Sequence, residues 1–141
     1  MNIPPWLFYA LMSAFFASLV AILSKLGVAG ISSNLATAIR TVVILLLVWG
    51  VVLYSGDMKQ VKELTRWNVL FLALSGIATG LSWLCYFKAL QLGDVSKVAP
   101  IDKLSVALTI FLGIILLGEP LDIKVIFGGL FIVIGSLVII W

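Results

Sequence analysis

The stretch Trp83–Pro120 reads WLCYFKALQLGDVSKVAPIDKLSVALTIFLGIILLGEP and joins the end of one apolar segment to the whole of the next through a short polar turn. Apolar runs of this length are typical of helices that cross a membrane. The stretch also carries Tyr86, Lys88, Asp102 and Lys103 among hydrocarbon side chains. Because a charge inside a bilayer costs free energy, these residues are candidates for a function.

The composition of the whole chain excludes a soluble domain. Hydrophobic residues make up 63% of the 141 residues and charged residues 11%, whereas soluble domains are nearer half apolar and a quarter charged. A spanning helix needs about 20 mostly apolar residues to cross hydrocarbon roughly 30 Å thick. The chain therefore has room for five or six spans and for little else.

Apolar segments divide the chain into five predicted spans. They cover approximately residues 6–26, 34–54, 67–91, 95–117 and 123–141. Inside hydrocarbon the backbone must satisfy its own hydrogen bonds, and runs of this length do so as helices. The predicted fold is an all-α integral membrane protein with five transmembrane helices, the first retained and not cleaved as a signal peptide. An odd number of spans places the two termini on opposite sides of the membrane.

The polar and charged residues within the predicted spans concentrate in one half of the bilayer. They are Arg40 near the start of the second span, Trp83 and Tyr86 near the end of the third, and Asp102 and Lys103 near the start of the fourth. Because consecutive helices run in opposite directions, all five fall in the half nearer the C-terminus.

Two interpretations of this cluster stay open at the level of the sequence. In the structural one, Asp102 pairs with Arg40 or Lys103, and long cationic side chains near the helix ends reach the headgroups. In the functional one, the cluster lines a water-filled vestibule, because a deep cation costs about 3 kcal/mol and is usually kept for a pathway. The excess of positive charge then favours an anionic or zwitterionic solute, and Asp102 is the candidate carrier of a coupling proton.

Two further features concern the packing and shape of the helices. Gly76 and Gly80 form a GxxxG pair. Gly128 and Gly135 are one heptad apart, and Gly129 and Ser136 repeat that spacing, so both the third and the last span are predicted to pack against another helix. Pro100 is predicted either to open the start of the fourth span or to be a plain helix-start proline.

Several classes of function lack the residues that they require. The chain has no histidine, a single cysteine, no HExxH motif and no nucleophile elbow, so no catalytic residue, metal site or cofactor is predicted and the chain is not expected to be an enzyme. It also lacks the clustered basic residues with interleaved aromatics that nucleic-acid binding requires.

The C-terminal half resembles a known family of membrane proteins. The runs YFKALQLGDVSKVAPIDKLSVALTIFLGIILLGEPLD (86–122) and GGLFIVIGSLVII (128–140) are similar to the end of the EamA repeat of the drug/metabolite transporter superfamily. The shared features are the Ala99-Pro100 pair, the LLGE sequence at 116–119 and the glycines of the last span. The upstream SKLGVAGISSNLATAIRT resembles the small five-helix bacterial and archaeal subgroup, which consists of one repeat.

The resemblance implies a function and an assembly. Ten-helix members of the superfamily contain two inverted repeats with a solute cavity at their interface, and a single repeat restores that arrangement by pairing with an oppositely inserted partner. We therefore expect a secondary transporter, an exporter or permease, for a small polar metabolite. Its partners would be the solute, the lipid bilayer of a bacterial or archaeal plasma (inner) membrane, and either a second copy in an antiparallel homodimer or a related repeat in a heterodimer.

The distribution of loop charges permits insertion in both orientations. The N-terminal side carries Lys59, Lys62, Arg66 and Lys124, and the opposite side carries Lys25, Lys88 and Lys97. Lys and Arg accumulate on the cytoplasmic side of membrane proteins, and four against three is a weak bias. The alternative to a transporter is a non-transporting membrane subunit that packs against or regulates a partner, for which the small-residue faces matter and the embedded charges are dispensable.

Overall fold

A computed structural model describes residues 4–120 and 122–141 of the chain, which are helical with no strand among them. The α-helices are α1 (Pro5–Gly27), α2 (Ser33–Ser55), α3 (Arg66–Leu92), α4 (Val95–Asp102), α5 (Leu104–Leu117) and α6 (Ile123–Ile140). A 3₁₀ helix, Asp57–Glu63, follows α2. The predicted all-α fold is confirmed.

The described residues contain five helical segments that are long and apolar enough to cross a membrane. Four of them are α1, α2, α3 and α6, and the fifth is Val95–Leu117, which combines α4 and α5. The shortest, α6, has 18 residues and is about 27 Å long at 1.5 Å per residue, close to the thickness of the hydrocarbon. Five spanning helices were predicted; which residues of each helix lie in the bilayer stays a prediction.

Polar residues and glycines between the apolar segments determine where the helices begin and end. The Leu35 N–H donates to Ser32 Oγ (3.3 Å) at the start of α2, and the Lys124 N–H donates to Asp122 Oδ1 (2.9 Å) at the start of α6. These bonds satisfy backbone donors that have no partner in the first turn of a helix. Gly56 ends α2 with φ 79°, a left-handed conformation that favours glycine.

The end of α5 explains the LLGE sequence in physical terms. Gly118 ends the helix with φ 67°, and the Glu119 N–H then donates to the Gly113 carbonyl at 3.3 Å. The Glu119 side chain folds back over Gly113, where an added Cβ atom would lie 3.0 Å from Glu119 Oε2. The glycine at 113 therefore makes room for the carboxylate at 119.

The described chain divides into two compact units. One is Leu23–Gln91, which holds the end of α1, the whole of α2 and nearly all of α3. The other comprises residues 4–22, 92–120 and 122–141, and contains most of α1 with α4, α5 and α6.

In the unit Leu23–Gln91, the connection between α1 and α2 is bonded to the end of α3. Lys25 Nζ donates to the Leu90 carbonyl at 2.6 Å, and Gln91 Nε2 donates to the Ile31 carbonyl at 2.9 Å. Carbonyls in the last turn of a helix have no partner within the helix. The Lys25 side chain, in the last turn of α1, thus provides the missing donor and holds the end of α3 beside the end of α1.

In the other unit, the fourth span is interrupted between α4 and α5. Pro100 lacks the N–H that a regular helix uses, and the backbone at Lys103 tightens so that its N–H donates to the Pro100 carbonyl at 3.0 Å. Ser136 Oγ of α6 donates to the same carbonyl at 2.9 Å. Ser136 is buried, at 4% exposure, so the interrupted backbone is satisfied by a neighbouring helix, as a membrane interior requires.

Close packing between α5 and α6 depends on a glycine. At Gly129, an added Cβ atom would meet Ile110 Cδ1 at 3.1 Å. Gly129 and Ser136 are the buried residues of α6 and are one heptad apart. The neighbouring pair Gly128 and Gly135 has nothing outside its own helix backbone within 4 Å, so its predicted packing role stays a prediction.

We expect Gly129→Leu to destabilise the protein and Gly128→Leu to have little effect. A leucine at 129 must displace Ile110, which typically costs about 1–3 kcal/mol in a packed site, whereas a leucine at 128 enters open space and should leave stability unchanged or slightly raised, because leucine forms helices better than glycine. Both substitutions replace a glycine with the same residue in the same helix, so helix propensity cancels. Unfolding of the monomer in detergent measures the difference, and equal losses would contradict the packing described for α6.

Candidate functional site

Arg40 lies inside a spanning helix and is held by two aromatic rings. It follows the start of α2 by seven residues, or roughly 10 Å along the helix axis. Its guanidinium carbon Cζ lies 4.4 Å from the centroid of the Trp83 ring and 5.4 Å from that of Phe87. Distances below about 6 Å between a cation and a ring face are attractive. Trp83 and Phe87 are four residues apart, so both project from the same side of α3.

A small apolar core positions the aromatic pair. Phe87 is 3% exposed and clusters with Val28 and Ala36, and Tyr86 packs against this cluster. Ala36 precedes Arg40 by four residues and therefore lies on the same face of α2. The core between the start of α2 and the end of α3 thus determines where the Arg40 side chain meets the Trp83 ring.

The Arg40 guanidinium has no counter-ion within its own unit. No oxygen of Leu23–Gln91 accepts a hydrogen bond from it, and its close contacts there are with rings. The carboxylates of this unit, Asp57 and Glu63, belong to the 3₁₀ helix at the other end of α2. Asp57 follows Arg40 by 17 residues, which is roughly 25 Å along a helix.

The hydroxyl groups next to Arg40 donate hydrogen bonds to carbonyl oxygens of α2. Thr37 Oγ1 donates to the Ser33 carbonyl, and Thr41 Oγ1 donates to the Thr37 carbonyl, both at 2.8 Å. Such bonds to the preceding turn satisfy a hydroxyl in a membrane helix. Thr37 is buried together with Ser33, so the face of α2 that precedes Arg40 is polar yet internally satisfied.

Asp102 and Lys103 lie at the interruption between α4 and α5. Lys103 Nζ is 3.4 Å from Asp102 Oδ2, and the side chains are 55% and 39% exposed, respectively. An exposed pair of neighbouring residues contributes little stability. Ser105 Oγ donates to the Asp102 carbonyl at 2.7 Å. Discontinuous spanning helices are where transporters commonly place groups for solutes and ions.

The five residues predicted to contact a solute or a proton belong to two places in the fold. In one unit, Arg40 contacts Trp83, with Tyr86 packed beside them; in the other, Asp102 is paired with Lys103. Their assignment to a solute or a proton stays a prediction. Phe87, the second ring on Arg40, was missed in the sequence; its signal was its spacing of four residues from Trp83.

Toward the middle of α3, the side of the helix that carries the aromatic rings carries two glycines. Gly76, Gly80, Trp83 and Phe87 follow one another at spacings of four, three and four, so they share one side of the helix. A Cβ atom added at Gly76 or at Gly80 would meet nothing within 4 Å outside its helix backbone. Among residues 4–120 and 122–141 no side chain packs against this GxxxG pair, so its predicted packing stays a prediction.

Comparison with known proteins decides the family. The model of the EamA-like transporter family matches residues 4–141, nearly the entire chain. The chain belongs to the EamA-like transporter family. The resemblance found in the sequence is thereby confirmed, and the protein is a multi-pass membrane protein of a transporter family.

Two proteins similar to this chain are named as transporters. A protein of Sinorhizobium sp. named "Uncharacterized transporter in cobO 3'region" is 48% identical over 134 residues, which cover 95% of each chain. An "Uncharacterized transporter" of Clostridium kluyveri is 28% identical over 137 residues, which cover 92% of this chain and 42% of the relative. No solved structure matches the chain.

We expect Trp83→Leu to destabilise the protein by about 1–2 kcal/mol, the range for a partly desolvated cation–π contact, and Trp83→Phe to cost less. A double-mutant cycle with Arg40→Met isolates the contact, because the cation is then already absent and the Trp83→Leu loss should shrink. Trp67→Leu, a change at an exposed tryptophan of the same helix, is the control. Denaturant titration in detergent measures all of them, and an undiminished Trp83 effect in the Arg40→Met protein would contradict a ring–cation interaction.

Proposed function

We propose that this EamA-like protein is a secondary transporter of a small polar metabolite, an exporter or permease, that works by alternating access. The observation that carries the proposal is Arg40, a cation well inside a spanning helix with no counter-ion in its unit. Intramembrane charges are costly and usually belong to a transport pathway. The relatives named as transporters support transport over the alternative of a non-transporting subunit.

We further propose that the working unit is an antiparallel dimer. When a repeat with an odd number of spans is followed in the same chain by a second repeat, the second has inverted topology in the membrane. A separate copy must be inserted in the inverted orientation on its own. The match to 42% of the longer Clostridium relative supports this reading, because the rest of that protein has room for a second repeat of similar length. The loop charges, four against three, permit both orientations.

The proposed roles follow from the chemistry of each group. Arg40, with Trp83 and Tyr86, would contact the solute, because a guanidinium and aromatic rings supply charge and stacking surface. Asp102 would carry a coupling proton, since its carboxylate lies at a helix interruption and is partly exposed. Lys103, whose Nζ lies 3.4 Å from Asp102 Oδ2, would contact the solute or the coupling proton together with that carboxylate.

We expect Arg40→Ala to reduce transport by about tenfold or more at normal abundance, because a charge-assisted hydrogen bond contributes roughly 1.5–3 kcal/mol. Mass spectrometry of cells and medium, compared between wild-type and variant overproducers, identifies the solutes whose distribution changes. Lys62→Ala, a change at an exposed cation of the 3₁₀ helix at the opposite end of the unit, is the control. Wild-type transport in the Arg40→Ala protein would exclude Arg40 from the pathway.

Asp102→Asn is expected to abolish accumulation of the solute against its gradient while equilibrium exchange continues. The neutral amide cannot carry a proton, so coupling is lost although the solute site remains. Proteoliposomes with and without a pH gradient measure both modes, and Asp57→Asn in the 3₁₀ helix is the control. Gradient-driven uptake by the Asp102→Asn protein would exclude Asp102 as the proton carrier.

A pair of C-terminal reporters, one active only in the cytoplasm and one only outside, tests the antiparallel dimer. Signal from both reporters at comparable levels is expected, because copies must be inserted in both orientations. Signal from one reporter alone would exclude the homodimer and require a second, related repeat as the partner.

A further inference from the structure

The Arg40 guanidinium offers its hydrogen-bond donors to a ligand. A guanidinium has five N–H donors around its edge and no acceptor. The Trp83 ring lies 4.4 Å from its central carbon, and a ring contact of this kind leaves N–H groups at the edge. No oxygen of Leu23–Gln91 accepts from them. Within this unit the donors are therefore available to a ligand.

The charged residues near Arg40 favour a ligand with negative charge. At the end of the unit where α2 begins and α3 ends lie Lys25, Arg40 and Lys88, while both carboxylates of the unit belong to the 3₁₀ helix at the opposite end. Lys88 Nζ donates to Gln91 Oε1, an uncharged oxygen, at 3.2 Å. Cations therefore outnumber carboxylates at this end of the unit, and such an excess attracts anions.

The geometry of the Arg40 N–H donors further limits the chemical class of the ligand. A guanidinium presents parallel N–H groups that match the two oxygens of a carboxylate or a phosphate, and such bidentate bonds are stronger than those to neutral acceptors. A neutral hydroxyl ligand would use the same donors without the charge. The geometry points to an oxyanion.

The helix surface next to the rings has room for the rest of a ligand. Gly80 precedes Trp83 by three residues on the same face of α3, about 4.5 Å along the axis, and Gly76 continues that face. Nothing outside the helix backbone lies within 4 Å of a Cβ atom placed at either glycine. A ligand whose anionic group binds Arg40 can extend over this surface.

We propose that Arg40 binds the carboxylate or phosphate group of the transported solute, whose body lies over Gly80. The assignment to a solute rests on the proposed transport function. An anionic lipid headgroup offers the same oxyanion chemistry, and the experiment must therefore separate the two sources.

Nuclear magnetic resonance of the arginine side chains tests the proposal directly, because the chain contains only Arg40 and Arg66. The full chain, labelled with ¹⁵Nε-arginine in phosphatidylcholine nanodiscs, should show two signals, which Arg66→Lys assigns. Titration with acetate or with inorganic phosphate should shift the Arg40 signal saturably and leave Arg66 without a saturable response. Absence of a saturable Arg40 shift with either anion would overturn the proposal.

A matched pair of glycine variants tests the position of the ligand body. Gly80→Leu should weaken binding of benzoate, a bulkier carboxylate, by about tenfold or more, because the added side chain fills the surface beside Trp83. Gly50→Leu adds the same side chain at an open glycine of α2 and should leave the affinity unchanged. Equal effects of the two variants would overturn the placement over Gly80.

Two further outcomes decide between the proposed solute and other counter-ions. If phosphatidylglycerol nanodiscs alone shift the Arg40 signal and added phosphate does not compete, the headgroup is the ligand and the solute assignment is wrong. If Asp102→Asn moves the Arg40 signal in ligand-free protein and the anions do not, the counter-ion is internal. The anion-binding measurement does not depend on transport. Saturable anion binding to Arg40 in a protein that does not transport would contradict only the proposed function. Transport without anion binding to Arg40 would contradict only this inference.

Discussion

Backbone N–H and C=O groups find no water to bond with inside a bilayer, and this constraint shapes the rest of the structure. Each helical segment satisfies its own backbone, and polar residues such as Ser32 and Asp122 cap the ends where that is impossible. The interruption after Pro100 obeys the same constraint. The Pro100 carbonyl accepts hydrogen bonds from the Lys103 N–H and from the buried Ser136 hydroxyl, so α6 helps to satisfy the irregular backbone of the fourth span.

The bilayer also removes the usual reason for apolar side chains to pack inward. Lipid is as apolar as leucine, so association of membrane helices depends on close approach and on a few polar bonds. Buried hydrophobic residues are correspondingly few in the described chain: Ala21, Val28, Ala36, Phe87 and Leu90. Specific contacts carry the organisation instead, such as the Lys25 bond to the Leu90 carbonyl and the approach of Ile110 to Gly129.

In such a structure an embedded cation is conspicuous. Arg40 is stabilised by the faces of Trp83 and Phe87, which attract a cation without neutralising it. A carboxylate partner in the same unit would have made Arg40 a structural element; rings leave its charge and its donors available. This distinction connects the packing of the aromatic cluster with the proposed recognition of an anionic solute in a family of transporters.

The sequence by itself determined the all-helical membrane fold, the five spanning segments, the embedded charges and the family. These follow from the length and apolarity of each segment and from local motifs, which do not depend on contacts between distant residues. Only the tertiary structure decided that Arg40 meets Trp83 and Phe87, that Asp102 pairs with Lys103 in its unit, and that Gly129 rather than Gly128 approaches α5. The side chains of adjacent helical residues point about 100° apart. The rotation of a helix about its own axis therefore decides which of two neighbouring residues faces the next helix. That rotation depends on how the helices pack together and cannot be read from one segment alone.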